Sequence, residues 1–281
     1  MTLALPRPGS RARATDLVMV GVVNLLGVVA FLYPFFLPGG PVGDERFARA
    51  GDAPLLFAAF SALLIAVAAS GVRAGRLDAK RIALLGLLAG INAVLRLPGA
   101  LGGGSLMFFL PILAGFVFGP GFGFMLGASS FAVSAVITGG VGPWLPFQMW
   151  ALGWIGGGAG LLRPLVARAP RALTITVLAA YGWGAGLAFG ALTNLWFWPF
   201  LGGASDLSWI PGLSVAEGLR RYWGFYLLTS LAWDSARAVI NALLMVALGV
   251  PVLRLLTRFR ARLDVRWEQR APDERSLERV G

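Results

Sequence analysis

The chain contains no cysteine and no histidine. Without thiolates or imidazoles it lacks the commonest transition-metal ligands and the usual general base, which argues against a metalloenzyme and against a hydrolase with a histidine-based triad. Charge is scarce as well, at 13% of 281 residues. No DxxD-like acidic pair stands near a membrane face to hold Mg²⁺, as a lipid or prenyl transferase would need. Neither a metal nor a cofactor is expected. What is present is apolar: 57% hydrophobic residues, with 39 Gly and 10 Trp, the composition of a membrane protein. The net charge of +11 would suggest nucleic acid in a soluble protein. Here the basic residues cluster between apolar spans as a topology signal does, so no nucleic-acid partner is expected.

A membrane helix needs about 20 apolar residues. Candidate spans lie near 17–37, 54–72, 81–98, 105–118, 122–138, 145–163, 172–198 and 223–253, which predicts an all-α membrane protein with about eight crossings. The pair 105–118 and 122–138, joined by Gly119-Pro120-Gly121, is the weak point: the first is short, and a re-entrant pair fits as well as two full spans. The run 17–37 follows Arg7, Arg11 and Arg13. It is too long for a signal-peptide core and has no clear small-residue cleavage site, so it is expected to stay as a span. On an eight-span path the segments holding Arg7 to Arg13, Arg73 to Arg81, Arg163 to Arg171 and Arg254 to Arg279 share one side. That side is expected to be cytoplasmic, with both termini inside a bacterial plasma membrane. Three regions follow: 1–80 with two extra helices, a membrane core over 81–262, and a charged cytoplasmic tail over 263–281.

The chain is organised around Gly99 to Gly160, whose centre reads GGVGPWLPFQMWALGWIGGG. Irregular backbone is tolerated in lipid only where it is buried in protein or lines a cavity, so this stretch predicts a binding vestibule. Small residues recur four apart, at Gly86 and Gly90, Ala89 and Ala93, Gly153 and Gly157, and along Gly182, Gly186 and Gly190. At that spacing they share a helix face where another backbone can approach.

ALLGLLAGINAVLR (Ala83 to Arg96), PILAGFVFGPGFGFMLG (Pro111 to Gly127), VSAVITGGVGPWLPFQMWALGW (Val133 to Trp154) and a last span ending in basic residues together resemble the substrate-binding S components of energy-coupling factor (ECF) vitamin transporters. The resemblance covers roughly 81–262. It implies a six-helix membrane core that captures a vitamin from outside, without its own ATPase, and works with a transmembrane T component and two cytosolic ATP-binding subunits. It also implies a small-residue face on the first core helix for the T component, matched by Gly86, Ala89, Gly90 and Ala93. The two preceding spans depart from the family pattern and bear on how exposed that helix is. The Gly142 to Gln148 run looks most like the cobalamin or corrinoid branch; riboflavin, another vitamin or a vitamin precursor would suit the same architecture.

The candidate substrate-binding residues are Arg96, Ser105, Trp144, Phe147, Gln148, Asn194, Trp196, Trp223, Tyr226 and Asp234. Each has a plainer reading beside it. The tryptophans fit an interfacial belt as well as a stacking wall. Gln148, in the first turn after Pro143 and Pro146, suits either a hydrated helix start or an amide-binding group beside free backbone N–H donors. Arg96 either snorkels to the interface or meets an acidic or amide oxygen of the substrate. Asp234, about 16 Å into a span begun at 223, either pairs with Arg237 three residues on or, with Asn241, floors the pocket. An ion-coupled secondary transporter is the alternative function. It would rest on Asp234, the one suitable intramembrane carboxylate, but no inverted repeat relates the two halves.

Overall fold

The computed structural model describes residues 10–36, 52–73, 75, 77–97, 105–166, 168–200 and 206–263; every regular element among them is helical. The long helices are α1 (Ser10–Leu32), α2 (Asp52–Arg73), α3 (Ala79–Val94), α4 (Phe109–Phe118), α5 (Pro120–Thr138), α6 (Leu145–Leu161), α7 (Arg171–Phe197), α8 (Val215–Thr229) and α9 (Leu231–Leu263). Their ends follow local chemistry. The Asp78 carboxylate accepts the Arg81 N–H at 2.8 Å to cap α3, and Ser214 accepts the Glu217 N–H at 3.2 Å to cap α8. Gly119, with φ 104°, turns α4 into α5, and Pro120 then starts the helix.

Four of these helices are long and apolar enough to cross a membrane: Pro54–Arg73, Pro120–Thr138, Arg171–Phe197 and Leu231–Leu263. Helix α4 has ten residues, about 15 Å at 1.5 Å per residue, half of a hydrocarbon crossing. Nearly all of it is buried in protein, so it needs no lipid-facing length.

Glycines determine how α4, α5 and α6 meet. A Cβ built at Gly115 or Gly123 would overlap the Gly156 carbonyl, and one at Gly127 would overlap the Leu152 carbonyl. In lipid, where apolar burial does not distinguish neighbour from solvent, this close backbone approach supplies the dispersion contacts that hold helices together. Of the pair read from sequence, Gly153 and Gly157 make room for the Phe124 side chain, and Gly157 also lies against the Pro120 carbonyl. The α7 ladder serves α9: a Cβ at Gly186 would stand 2.6 Å from the Ala238 Cα.

Helices α1 and α2 dock on the core through two tryptophans of α6. Trp150 stacks on Phe60 at 3.8 Å and donates its indole N–H to the Val23 carbonyl at 3.3 Å. Trp154 donates to Asn24 Oδ1 at 2.7 Å, and Gly27 leaves space for its ring. Among the described residues one face of α3 is uncovered: Ile82, Leu87, Ile91 and Val94 are exposed, and none of those residues lies within 4 Å of a Cβ at Gly86 or Gly90. Ala89 and Ala93 point the other way and are buried, at 4% and 0% exposure.

The stretch 223–253 is not one helix. α8 ends at Thr229, and α9 starts at Leu231 after a break at Ser230 (φ −122°, ψ −28°). The Ser230 hydroxyl accepts from Asn194 Nδ2 at 2.6 Å, tying the break to α7. Asp234 therefore lies in the first turn of its helix, not about 16 Å into a span counted from 223 at 1.5 Å per residue. The hydrophobicity ran on through the break, so periodicity alone could not locate it. Helix α9 has 33 residues, about 50 Å, so its basic last turns extend past a hydrocarbon layer of about 30 Å.

Candidate functional site

At the end of the bundle away from Arg163, Arg171 and Arg254, elements of all six core segments surround a cavity of about 460 Å³. Arg96 and Leu97 reach it from the end of α3; Ser105, Met107 and Phe108 from the approach to α4; Phe131 and Thr138 from α5; Gln148 from α6; Phe189 from α7; and Trp233 and Arg237 from α9. The apolar wall is an aromatic cluster. Phe189 meets Phe108 edge-on at 4.9 Å and stacks with Phe131 at 5.8 Å.

Two guanidiniums stand on those rings. Arg96 lies 4.5 Å above Phe131, while Arg237 lies 5.6 Å from Phe108 and 5.2 Å from Phe189, within range for cation–π attraction. Arg237 also donates to the Asp234 carboxylate one turn earlier, and to the Gly186 carbonyl at 3.4 Å. Asp234 is 2% exposed. Its charge is tolerated because the cation shares its helix face and the N-terminal turn of α9 favours an anion. Arg96 makes no hydrogen bond or ion pair among the described residues. Arg96 Nη1, Arg237 Nε and Gln148 Oε1 are buried without a hydrogen-bond partner. Buried polar atoms are almost always satisfied, so three unmatched groups beside one cavity mark a place built for a polar ligand on an aromatic floor.

The structure brings together only some of the residues chosen from sequence. Arg96, Ser105 and Gln148 line the cavity, and Asp234 braces Arg237. The Gln148 N–H is not free, since it donates to the Trp144 carbonyl at 3.1 Å. Phe147 and Trp196 pack 5.4 Å apart, and Phe31 of α1 meets Phe147 at 5.2 Å. Asn194 is taken up by Ser230, and the Tyr226 hydroxyl donates to the Leu187 carbonyl at 3.3 Å. Trp144 and Trp223 are about half exposed. Phe108, Phe131, Phe189 and Trp233 were missed; in a chain with 19 Phe and 10 Trp nothing local separates a cavity ring from a core ring. Asn92 was missed too. It is fully buried and donates to Ser130 Oγ at 2.9 Å across the α3–α5 contact, and a lone amide in the apolar run of α3 was its signal. Another cavity, of about 350 Å³, lies among Phe35, Trp198, Trp209 and Tyr222, and among the described residues its lining carries no charged group.

The family model described as "ECF transporter, substrate-specific component" matches residues 80–249, the span from α3 into α9 that builds the 460 Å³ cavity. No curated protein and no solved structure matches the chain.

Proposed function

The chain belongs to the family of ECF transporter substrate-specific components, and on that premise we propose that it captures a vitamin in the cavity beside Arg96 and Arg237. A transmembrane T component and two ATP-binding subunits then drive import. Proteins of this family are transport subunits and not catalysts. The observation that carries the reading is the coincidence of the matched segment with a cavity whose buried polar atoms lack partners. Arg163, Arg171 and Arg254 lie at the ends of their helices away from the cavity lining, which by the positive-inside rule supports a reading with the cavity outward and both termini cytoplasmic. The open notch at Gly86 and Gly90, flanked by Leu87 and Ile91, is the part of α3 available to the T component.

The Gly142 to Gln148 run suggests a corrinoid, and a cavity of about 460 Å³ also suits a smaller vitamin or precursor. The ion-coupled alternative draws no support from the site, because its carboxylate, Asp234, is committed to Arg237. The test is to purify the chain, screen vitamins including cobalamin and riboflavin for thermal stabilisation, and reconstitute it in proteoliposomes with and without the partner subunits. One vitamin should stabilise the solitary chain, and uptake should require the partners and ATP. Uptake by the chain alone, driven by a proton gradient, would overturn the proposal.

A further inference from the structure

Resting on the capture reading above, we infer that the substrate is a small monoanion whose carboxylate oxygens are bound by Arg96, with its apolar part on Phe108, Phe131 and Phe189. The charge balance of the cavity leads there. Among the described residues its lining carries two guanidiniums and no carboxylate. Asp234 neutralises Arg237, which leaves Arg96 on the face of Phe131 and, among those residues, one positive charge in excess. An arginine that snorkelled to the interface would spread its donors into water and headgroups; here Nη1 is buried and unmatched, and the guanidinium lies over a ring of the cavity wall. Arg96 is half-buried, so an unmatched Nη1 is costly though less than in a fully buried charge, and a planar guanidinium fork is matched best by an oxyanion that takes two of its N–H groups. Arg237 Nε supplies a further unmatched donor.

The cavity, about 460 Å³ among the described residues, falls within the range of sites that hold small organic ligands.

The experiment uses the purified full chain and pairs of probes in which a carboxylate is exchanged for a neutral group: nicotinic acid and nicotinamide, biotin and biotinamide, lipoic acid and lipoamide, pantothenate and pantothenol. Affinity is read by calorimetry and thermal stabilisation. In the pair that binds, the anionic member should be tighter by about ten- to a hundredfold, the worth of one or two charged hydrogen bonds. Arg96→Gln should cost the acid far more than its neutral partner and so erase most of the preference, while Arg96→Lys keeps part of it. The comparison of pairs on the unmutated protein does not depend on either variant folding. A neutral member that binds as tightly as its acid, or tight binding of cobalamin with none of the small acids, would refute the monoanion and leave vitamin capture standing. No stabilisation by any vitamin, in a chain shown to be folded, would remove both.

Discussion

The Asp234 carboxylate occupies the space that a side chain at Gly190 would fill: a Cβ at 190 would overlap Oδ2. The last glycine of the α7 ladder is thus the seat of the one buried ion pair among the described residues, and the pair in turn holds Arg237 against the cavity wall. Gly190→Ala should destabilise the protein by about 1–3 kcal/mol, the usual cost of forcing a methyl group into a filled site. Gly182→Ala, whose Cβ would meet Met245 at an ordinary 3.6 Å, should be tolerated. Melting midpoints of the two variants in detergent decide between this account and uniform sensitivity along the ladder.

Removing one partner of the pair should cost more than removing both. Asp234→Asn leaves Arg237 uncompensated and is expected to lose about 3–5 kcal/mol, whereas Asp234→Leu with Arg237→Met should recover most of it. Equal stability of the single and double variants would show that the pair carries no such coupling.

The open notch on α3 gives a prediction about assembly. Gly86→Leu with Gly90→Leu should leave folding and vitamin affinity as they are while reducing co-purification with the T component severalfold. Ala93→Leu, at a site with no exposed surface, should instead lower the melting midpoint. Normal complex formation by the double glycine variant would exclude this notch as the contact.

The absence of cysteine allows a clean test of how α1 and α2 are held. Ala30, 3% exposed, can carry a single introduced thiol. Ala30→Cys should label slowly in the parent and severalfold faster in Trp150→Ala, which loses both the stack on Phe60 and the bond to Val23. Trp154→Phe, which loses the bond to Asn24 alone, should fall between them. Identical labelling rates in all three would mean the tryptophans do not clamp these helices.

At the start of α8, Glu217 accepts from Arg220 and Arg221 at 2.7–2.8 Å. These bonds, with the nearby positive charge, hold its carboxyl down at about 2, against an ordinary 4.5. A depressed carboxyl pKa contributes stability that is present in full above the unfolded value and fades as pH falls toward the folded one. The stability difference between the parent and Glu217→Gln should therefore be constant above about pH 5 and shrink between about pH 4.5 and 2. A difference that grows on acidification would reverse the sign and sink the assignment.

Several features could be read before the structure because they depend on composition or on neighbours in the chain. The membrane class follows from apolar runs that water would not tolerate, and the Asp234–Arg237 pair follows from three-residue spacing on one helix. Arg96 and Gln148 were also legible as site residues, since polar groups at the ends of apolar spans stand out.

The tertiary structure decided what depends on distant partners. Gly115, Gly123 and Gly156 are indispensable because their backbones meet, and 41 positions of chain separate the first from the last. Phe131 and Phe189 form a cavity wall, whereas Phe147 packs against α1, though all three look alike in sequence. Helix periodicity says which residues share a face; only the packing of several helices says which faces look into one hollow, and that is what leaves Arg96 half-buried beside a ring with its Nη1 unmatched.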